Sequence, residues 1–196
     1  RLDGGLDTAS SQVVVGAADS GRLAAAYVSN GTLYATVFDP ATGSWGPVQG
    51  IAAGASNPSL DLSIHGAGFL TFTLGGDVRA ARLERTGSQF TLIGAVLDLD
   101  PAQTAGEGSG RSRVAIGADS TAVAVWGENG KVVARRLYRT SISAAPADLG
   151  LGEVEGRSGL AADLPDVSIE DDSSFAQVVF RQSFADQLRR GADQRV

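Results

Sequence analysis

Apolar residues along this chain fall in strand-length runs separated by short polar breaks rich in Gly, Asn, Asp and Ser. No helical period of three to four residues is sustained, so the pattern predicts many short β-strands. Four segments share one order of strand, turn, strand ending in an aromatic, turn and strand. The first runs Val13–Ala17, Asp19-Ser20-Gly21, Leu23–Tyr27, Asn30-Gly31, Leu33–Phe38. The second runs Ser59–Ile64, Gly66-Ala67-Gly68, Phe69–Phe72, Gly75-Gly76, Val78–Leu83. The third runs Arg113–Gly117, Asp119-Ser120, Ala122–Trp126, Asn129-Gly130, Val132–Leu137. The fourth begins Asp166–Ile169, Asp171–Ser174, Phe175–Phe180 and then departs.

The aromatic positions Tyr27, Phe72, Trp126 and Phe180 are spaced by 45, 54 and 54 residues. Each of the pairs Asn30-Gly31, Gly75-Gly76 and Asn129-Gly130 begins three residues after its aromatic. Such pairs suit two-residue hairpin turns, because both central residues adopt positive φ. A fourth strand per unit is expected at Gly46–Ile51, Leu92–Leu97 and Ile142–Leu149. Four antiparallel strands in roughly 45–50 residues match one blade of a β-propeller. Small Ala and Gly side chains in Leu23–Tyr27 and Ala122–Trp126 predict close sheet packing, with the aromatic filling a wider gap.

The expected fold is therefore an all-β propeller with about four-stranded antiparallel blades, in a single repeat domain over residues 1–196. Its approximate units are 1–52, 53–106, 107–160 and 161–196. The last is incomplete, and residues 1–10 are candidates to complete it, since Arg1-Leu2 resembles Arg82-Leu83 and Arg136-Leu137. Two readings stay open: a segment of a larger propeller, or a small ring closed by the two termini. A β-sandwich is the alternative fold. Ser183–Gly191 carries a Ser cap, an acidic residue three positions on, basic residues in its last turn and a Gly stop, which suits either a short helix or a polar loop.

Two stretches carry a family resemblance. Val114-Ala-Ile-Gly-Ala-Asp-Ser-Thr-Ala-Val-Ala-Val-Trp126 resembles the repeat of secreted bacterial propeller proteins, in which an Asp/Gly turn leads into Ala-Val-Trp. Phe38-Asp39-Pro40-Ala41-Thr42-Gly43-Ser44-Trp45 is similar to a segment of kelch-like and sialidase-like propellers. The sialidase Asp-box, Ser/Thr-x-Asp-x-Gly-x-x-Trp, is not matched, and kelch diglycine occurs only as Gly75-Gly76. The resemblance implies fold and a secreted or cell-surface setting. It carries no catalytic residues onto this chain.

Composition narrows the chemistry. The 196 residues include 43% hydrophobic side chains, enough for a folded core. A net charge of −6 argues against nucleic acid as a partner. Lys131 is the sole lysine among 16 basic residues, a bias that a GC-rich coding genome explains plainly and an arginine-dependent site would explain more sharply. Cysteine is absent, which excludes disulfides, thiolate metal sites and cysteine nucleophiles. No run approaches the ~20 apolar residues of a membrane-spanning helix. With no methionine and Arg1 first, the sequence reads as a mature form, a proteolytic piece or a cropped segment.

Candidate functional groups are scattered. His65 is the only histidine, and a lone histidine cannot build a multi-histidine metal site. It could act as a base near neutral pH, although a loop histidine without chemistry is the plainer reading. Asp98 and Asp100 form an acid-x-acid pair able to offer oxygens to Ca²⁺. Asp163, Asp166, Glu170, Asp171 and Asp172 crowd around the first strand of the fourth unit, where they suit calcium, paired-acid glycoside hydrolysis or simple turn capping. Arg79, Arg82, Arg135 and Arg136 recur on third strands and read most simply as solvent-facing. Arg181, beside Phe180, is the best-placed single arginine for gripping a carboxylate. Gly106-Glu-Gly-Ser-Gly110 precedes a strand, so it fails the context of a phosphate loop.

The function these features predict is a non-catalytic extracellular or cell-surface propeller that binds a carbohydrate or protein partner through its loops, with no resident cofactor beyond possible Ca²⁺. A segment of a sialidase-like glycoside hydrolase and a structural spacer are the alternatives. Carboxylates and arginines from three or more units in one central pocket would favour the enzyme.

Overall fold

The computed structural model describes residues 10–86, 89–92, 95–101, 111–139, 141–143, 145–150, 153–154 and 157–184. These residues form antiparallel strands and no helix. The strands group into four sheets in chain order. The first sheet holds β1 (Ser10–Ala17), β2 (Leu23–Ser29), β3 (Thr32–Asp39), β4 (Ser44–Trp45) and β5 (Gln49–Ala53). The second holds β6 (Ala55–Leu62), β7 (Gly68–Leu74), β8 (Asp77–Thr86), β9 (Gln89–Leu92) and β10 (Leu97–Asp98). The third holds β11 (Arg113–Ile116), β12 (Thr121–Glu128), β13 (Lys131–Tyr138), β14 (Ser141–Ile142) and β15 (Ala147–Asp148). The fourth joins β16 (Glu153–Val154), β17 (Arg157–Ile169) and β18 (Ala176–Phe184).

The expected fourth strand is broken into two short pieces in each of the first three sheets, and both pieces pair with the third strand. Pro47 and Pro146 fall in two of the gaps. Proline has no N–H to give the ladder, so it interrupts an outer strand there.

Turn chemistry repeats with little variation. Ser29 pairs with Thr32, Leu74 with Asp77 and Glu128 with Lys131, so each second hairpin closes through two residues. The turn residues Asn30 (φ 48°), Gly31 (70°), Gly75 (64°), Gly76 (96°), Asn129 (48°) and Gly130 (74°) are all left-handed. This is the geometry that Asn-Gly and Gly-Gly specify. In the first hairpins, the N–H groups of Gly21, Gly66, Ser120 and Ser173 donate to the carbonyls of Ala18, Ser63, Gly117 and Glu170. Those four donors are also left-handed, at φ 75°, 82°, 70° and 61°.

A third repeated feature lies opposite the aromatic. The register skips so that Gln12 and Val13 oppose Tyr27, Asn57 and Pro58 oppose Phe72, and Leu164 and Pro165 oppose Phe180. The first residue of each bulge is left-handed, at φ 52°, 52° and 51°. Two residues against one bend and twist the strand locally. Proline is tolerated in two of these bulges because the ladder is already broken there.

The sheets stack as successive layers. Ala24, Ala26 and Val28 of β2 and Leu33 of β3 pack with Leu60, Leu70, Phe72 and Leu83 of the second sheet. Phe69, Val78 and Ala80, from the other face of the second sheet, pack with Val114, Ile116, Ala122, Ala124 and Trp126 of the third. Alternation along β7 sends Phe69 and Phe72 to opposite faces, so this one sheet serves two cores. β17 then packs against β11, β12 and β13. Ala24, Ala26, Ala122 and Ala124 are fully buried, as close packing of the sheets requires.

Three expectations need correction or completion. Tyr27, Phe72 and Trp126 are buried, but Phe180 is only partly covered, because β18 is an edge strand among the described residues. Arg82 and Arg135 are buried, not solvent-facing. The Arg82 guanidinium lies 5.7 Å from the Phe69 ring centre and donates to Glu84. Arg135 donates to the carbonyls of Ser143 and Leu99. Ser143 and Leu99, beside the outer strands, thus satisfy Arg135, whereas Arg82 is held by Glu84 of its own strand and its Nη1 has no hydrogen-bond partner among the described residues. Ser183 and Phe184, read as the start of either a short helix or a polar loop, close β18 instead, while 185–191 lie outside the described residues. Residues 1–9, 106–110 and 192–196, which carry the chain-end and Gly-rich readings, also lie outside them.

Candidate functional site

Strands β1, β6, β11 and β17, one from each sheet, end beside one another and line a recess of about 210 Å³. Asp19 follows β1, Asp61 lies in β6, Ile116 and Ala118 come from β11 and its turn, and Ile169 and Asp171 come from β17 and its turn. Three sheets thus contribute carboxylates to one concavity. Asp19 and Asp171 are exposed, whereas Asp61 is partly buried.

Asp61 is held by backbone donors from two sheets. Its Oδ1 accepts the Leu62 N–H at 2.9 Å and its Oδ2 accepts the Ile116 N–H at 3.0 Å. Burial pushes its carboxyl above the ordinary value, while those two N–H groups pull it down. Ser59 plays a parallel part by accepting the Val114 N–H at 3.3 Å. β11 is an edge strand, and its outward N–H groups are thereby satisfied by side chains of β6. Gln12 accepts the Asn57 N–H in the same manner between the first and second sheets.

The turns around the recess are laced to one another. Arg22 Nη1 donates to the His65 carbonyl at 3.4 Å. Ala118 N–H donates to the Asp171 carbonyl at 2.7 Å, and Ser173 Oγ donates to Asp119 at 2.6 Å. The Ser173 hydroxyl and the Thr121 N–H hold the Asp119 carboxyl below its ordinary value. A Cβ at Gly117 would meet Ser173 Oγ at 2.0 Å and the Glu170 carbonyl at 3.1 Å, so this approach requires glycine.

A second concavity, of about 500 Å³, lies between the third and fourth sheets. Arg111 and Arg113 line one side, and Asp163 to Asp166, which span the β17 bulge, line the other. Glu128 is buried here and accepts the Trp126 Nε1–H at 2.8 Å.

The structure separates the acidic cluster that looked continuous in sequence. Asp163 and Asp166 belong to the inter-sheet cleft and Asp171 to the recess. Asp172 caps its own turn through the Ser174 N–H, which lowers its carboxyl pKa. Arg181 forms a two-armed pair with Asp163 and does not line either concavity, so its guanidinium is already committed. Asp166 lies 3.7 Å from Arg113 Nε. His65 is exposed in its turn, where its carbonyl is the group engaged by Arg22. Asp98 forms an ion pair with Arg79 at 2.7 Å and accepts the Asp100 N–H at 3.1 Å. Among the described residues, no group of three or more His, Asp or Glu is placed to hold a metal ion.

Asp19, Asp61, Arg111 and Arg113 were not singled out from sequence. The available signal was polar residues placed at strand positions, as in Ser59-Leu60-Asp61 and Arg111-Ser112-Arg113. Their significance depends on which sheet lies beside them. No protein family and no curated protein matches this chain.

Proposed function

We propose that this chain is a run of β-propeller blades acting outside the cell as a non-catalytic binding module, which takes a protein or carbohydrate partner at the end where β1, β6, β11 and β17 converge. The single observation that carries this reading is the recess shared by four sheets, with Asp19, Asp61 and Asp171 on its wall. Loops from several blades meeting at one end give a binding surface without a local motif. The propeller reading is supported by meandering sheets in chain order, repeated turns and a middle sheet covered on both faces, which a two-layer sandwich does not provide. The extracellular setting rests on the resemblance to secreted repeats. Acidic walls suit lysine or arginine side chains of a partner.

A glycoside hydrolase reading has one observation in its favour: burial raises the Asp61 carboxyl, as a general acid requires. Against it, both Asp61 oxygens already accept backbone N–H groups, and among the described residues no arginine lines the recess. The test combines glycan-array and crosslinking screens on the protein with Asp19→Ala and Asp171→Ala. Loss of at least tenfold in partner affinity in both variants, with unchanged circular dichroism, is the expected result. Partner binding that ignores both changes, or glycoside turnover abolished by Asp61→Asn, would overturn the binding-module reading.

A further inference from the structure

We infer that the cleft between the third and fourth sheets binds a carboxylate-bearing saccharide, with Arg111 reading the carboxylate. The inference rests on the binding-module reading but names a different surface, lined by other residues of β11 and β17 and by the turn after β12. At about 500 Å³ the cleft has the size of a small-ligand site, typically ~300–1,000 Å³.

Charge bookkeeping within the cleft singles out one group. Asp163 is engaged by Arg181, and the Arg181 guanidinium in turn draws the Asp163 carboxyl below its ordinary value. Asp166 pairs with Arg113 at 3.7 Å. Glu128 is buried against the Trp126 indole. Ser112, between the two arginines, is buried and donates to Thr71 at 2.9 Å, away from the cleft residues. Arg111 is exposed, lines the cleft and, among the described residues, has neither a side-chain hydrogen bond nor an ion pair. Its planar fork is therefore free to take a carboxylate through two parallel hydrogen bonds.

The rest of the lining suits a polyol. The Asp163 and Asp166 side chains keep substantial exposure, and a carboxylate has more acceptor sites than one arginine fills, so ligand hydroxyls find acceptors beside the cationic wall. Among the described residues no aromatic side chain lines the cleft, so a neutral sugar would lack a stacking platform there. The ligand handle is then its charge, which points to uronic-acid units. A peptide ending in a free carboxylate is the competing occupant.

Isothermal titration with oligogalacturonate tests this, set beside the same oligosaccharide with its carboxyl groups reduced to alcohols. The expected result is binding of the acidic form at least tenfold tighter than the reduced form. Arg111→Ala should weaken it at least tenfold, Arg111→Lys less, and Arg22→Ala, on a distant turn, not at all. Equal binding of the reduced sugar, no effect of Arg111→Ala in a protein that melts normally, or preferential binding of a peptide carboxylate would each overturn the proposal. If the cleft proves inert while Asp19→Ala and Asp171→Ala still lose their partner, this inference fails and the binding-module reading stands.

Discussion

The third and fourth sheets start from nearly the same local instructions and reach different degrees of burial. Both first hairpins turn on a left-handed serine, Ser120 or Ser173, whose N–H returns to a carbonyl three residues earlier. In the third sheet the following strand is buried, and Trp126 has 0% exposure. In the fourth, β18 alternates between partly covered and exposed residues, with Val179 at 67% exposure and Phe175, just before the strand, at 66%. The third sheet packs between the second and the fourth, and its own third strand pairs along the whole of β12. Among the described residues, β18 pairs only with β17. Turn geometry is thus set by a few residues, whereas burial of the strand after the turn depends on neighbours on both sides.

The sharpest test of this contrast removes the equivalent aromatics. Trp126→Ala should destabilise the protein by about 3–5 kcal/mol, through lost burial, a cavity and the loss of the Glu128 partner. Phe180→Ala should cost about 1 kcal/mol or less, since its ring is only partly removed from water. Chemical denaturation measures both, and equal costs would break the comparison.

The seam below the third sheet comes next in size. Asp61→Asn should cost about 1–3 kcal/mol at neutral pH, because an amide NH₂ would face one of the two N–H donors now bound by the carboxylate. The pH sign is opposite to that of an ordinary paired acid. Burial raises the folded-state pKa, so the folded protein holds the proton more tightly than the unfolded chain. The Asp61 contribution therefore declines as pH rises from the usual carboxylate range through the raised value. Denaturation against pH should show that decline in the native protein and its absence in Asp61→Asn.

Serine at a left-handed position is mildly strained, so Ser120→Gly should gain about 0.5–1 kcal/mol after the greater flexibility of glycine in the unfolded chain is counted. Ser173→Gly should gain less, because Ser173 Oγ also donates to Asp119. Thermal melts of the two variants would sharpen the distinction between a turn that acts alone and one tied across a seam.

The smallest effect concerns acid. The Ser173 hydroxyl leads the interactions that hold Asp119 below its ordinary value. Its contribution is present above the unfolded-state pKa and is lost as pH falls through the lowered folded-state value. Ser173→Gly should flatten this acid-side slope, and an unchanged slope would remove Asp119–Ser173 from the seam.

Much of the fold was legible in the chain. Asn30-Gly31, Gly75-Gly76 and Asn129-Gly130 specify their turns because backbone φ is a property of the residues themselves. The apolar strands around them were equally visible. The bulges at Gln12, Asn57 and Leu164 were not, since no residue type was shared among them. The candidate sites were least legible. The acidic run from Asp163 to Asp172 looked like one cluster, yet its members face a cleft, a recess and a turn.

By itself, the sequence determined an all-β chain with repeated hairpins, because turn preference and alternation act over only a few residues. Tertiary structure decided that Asp61 would cap an edge strand of the next sheet, that Arg82 and Arg135 would be buried, and that Arg111 would line a cleft without a partner among the described residues. Those outcomes depend on groups some tens of residues away. Burial and charge pairing are set by whichever atoms the stacked sheets bring together, and no local pattern encodes that meeting.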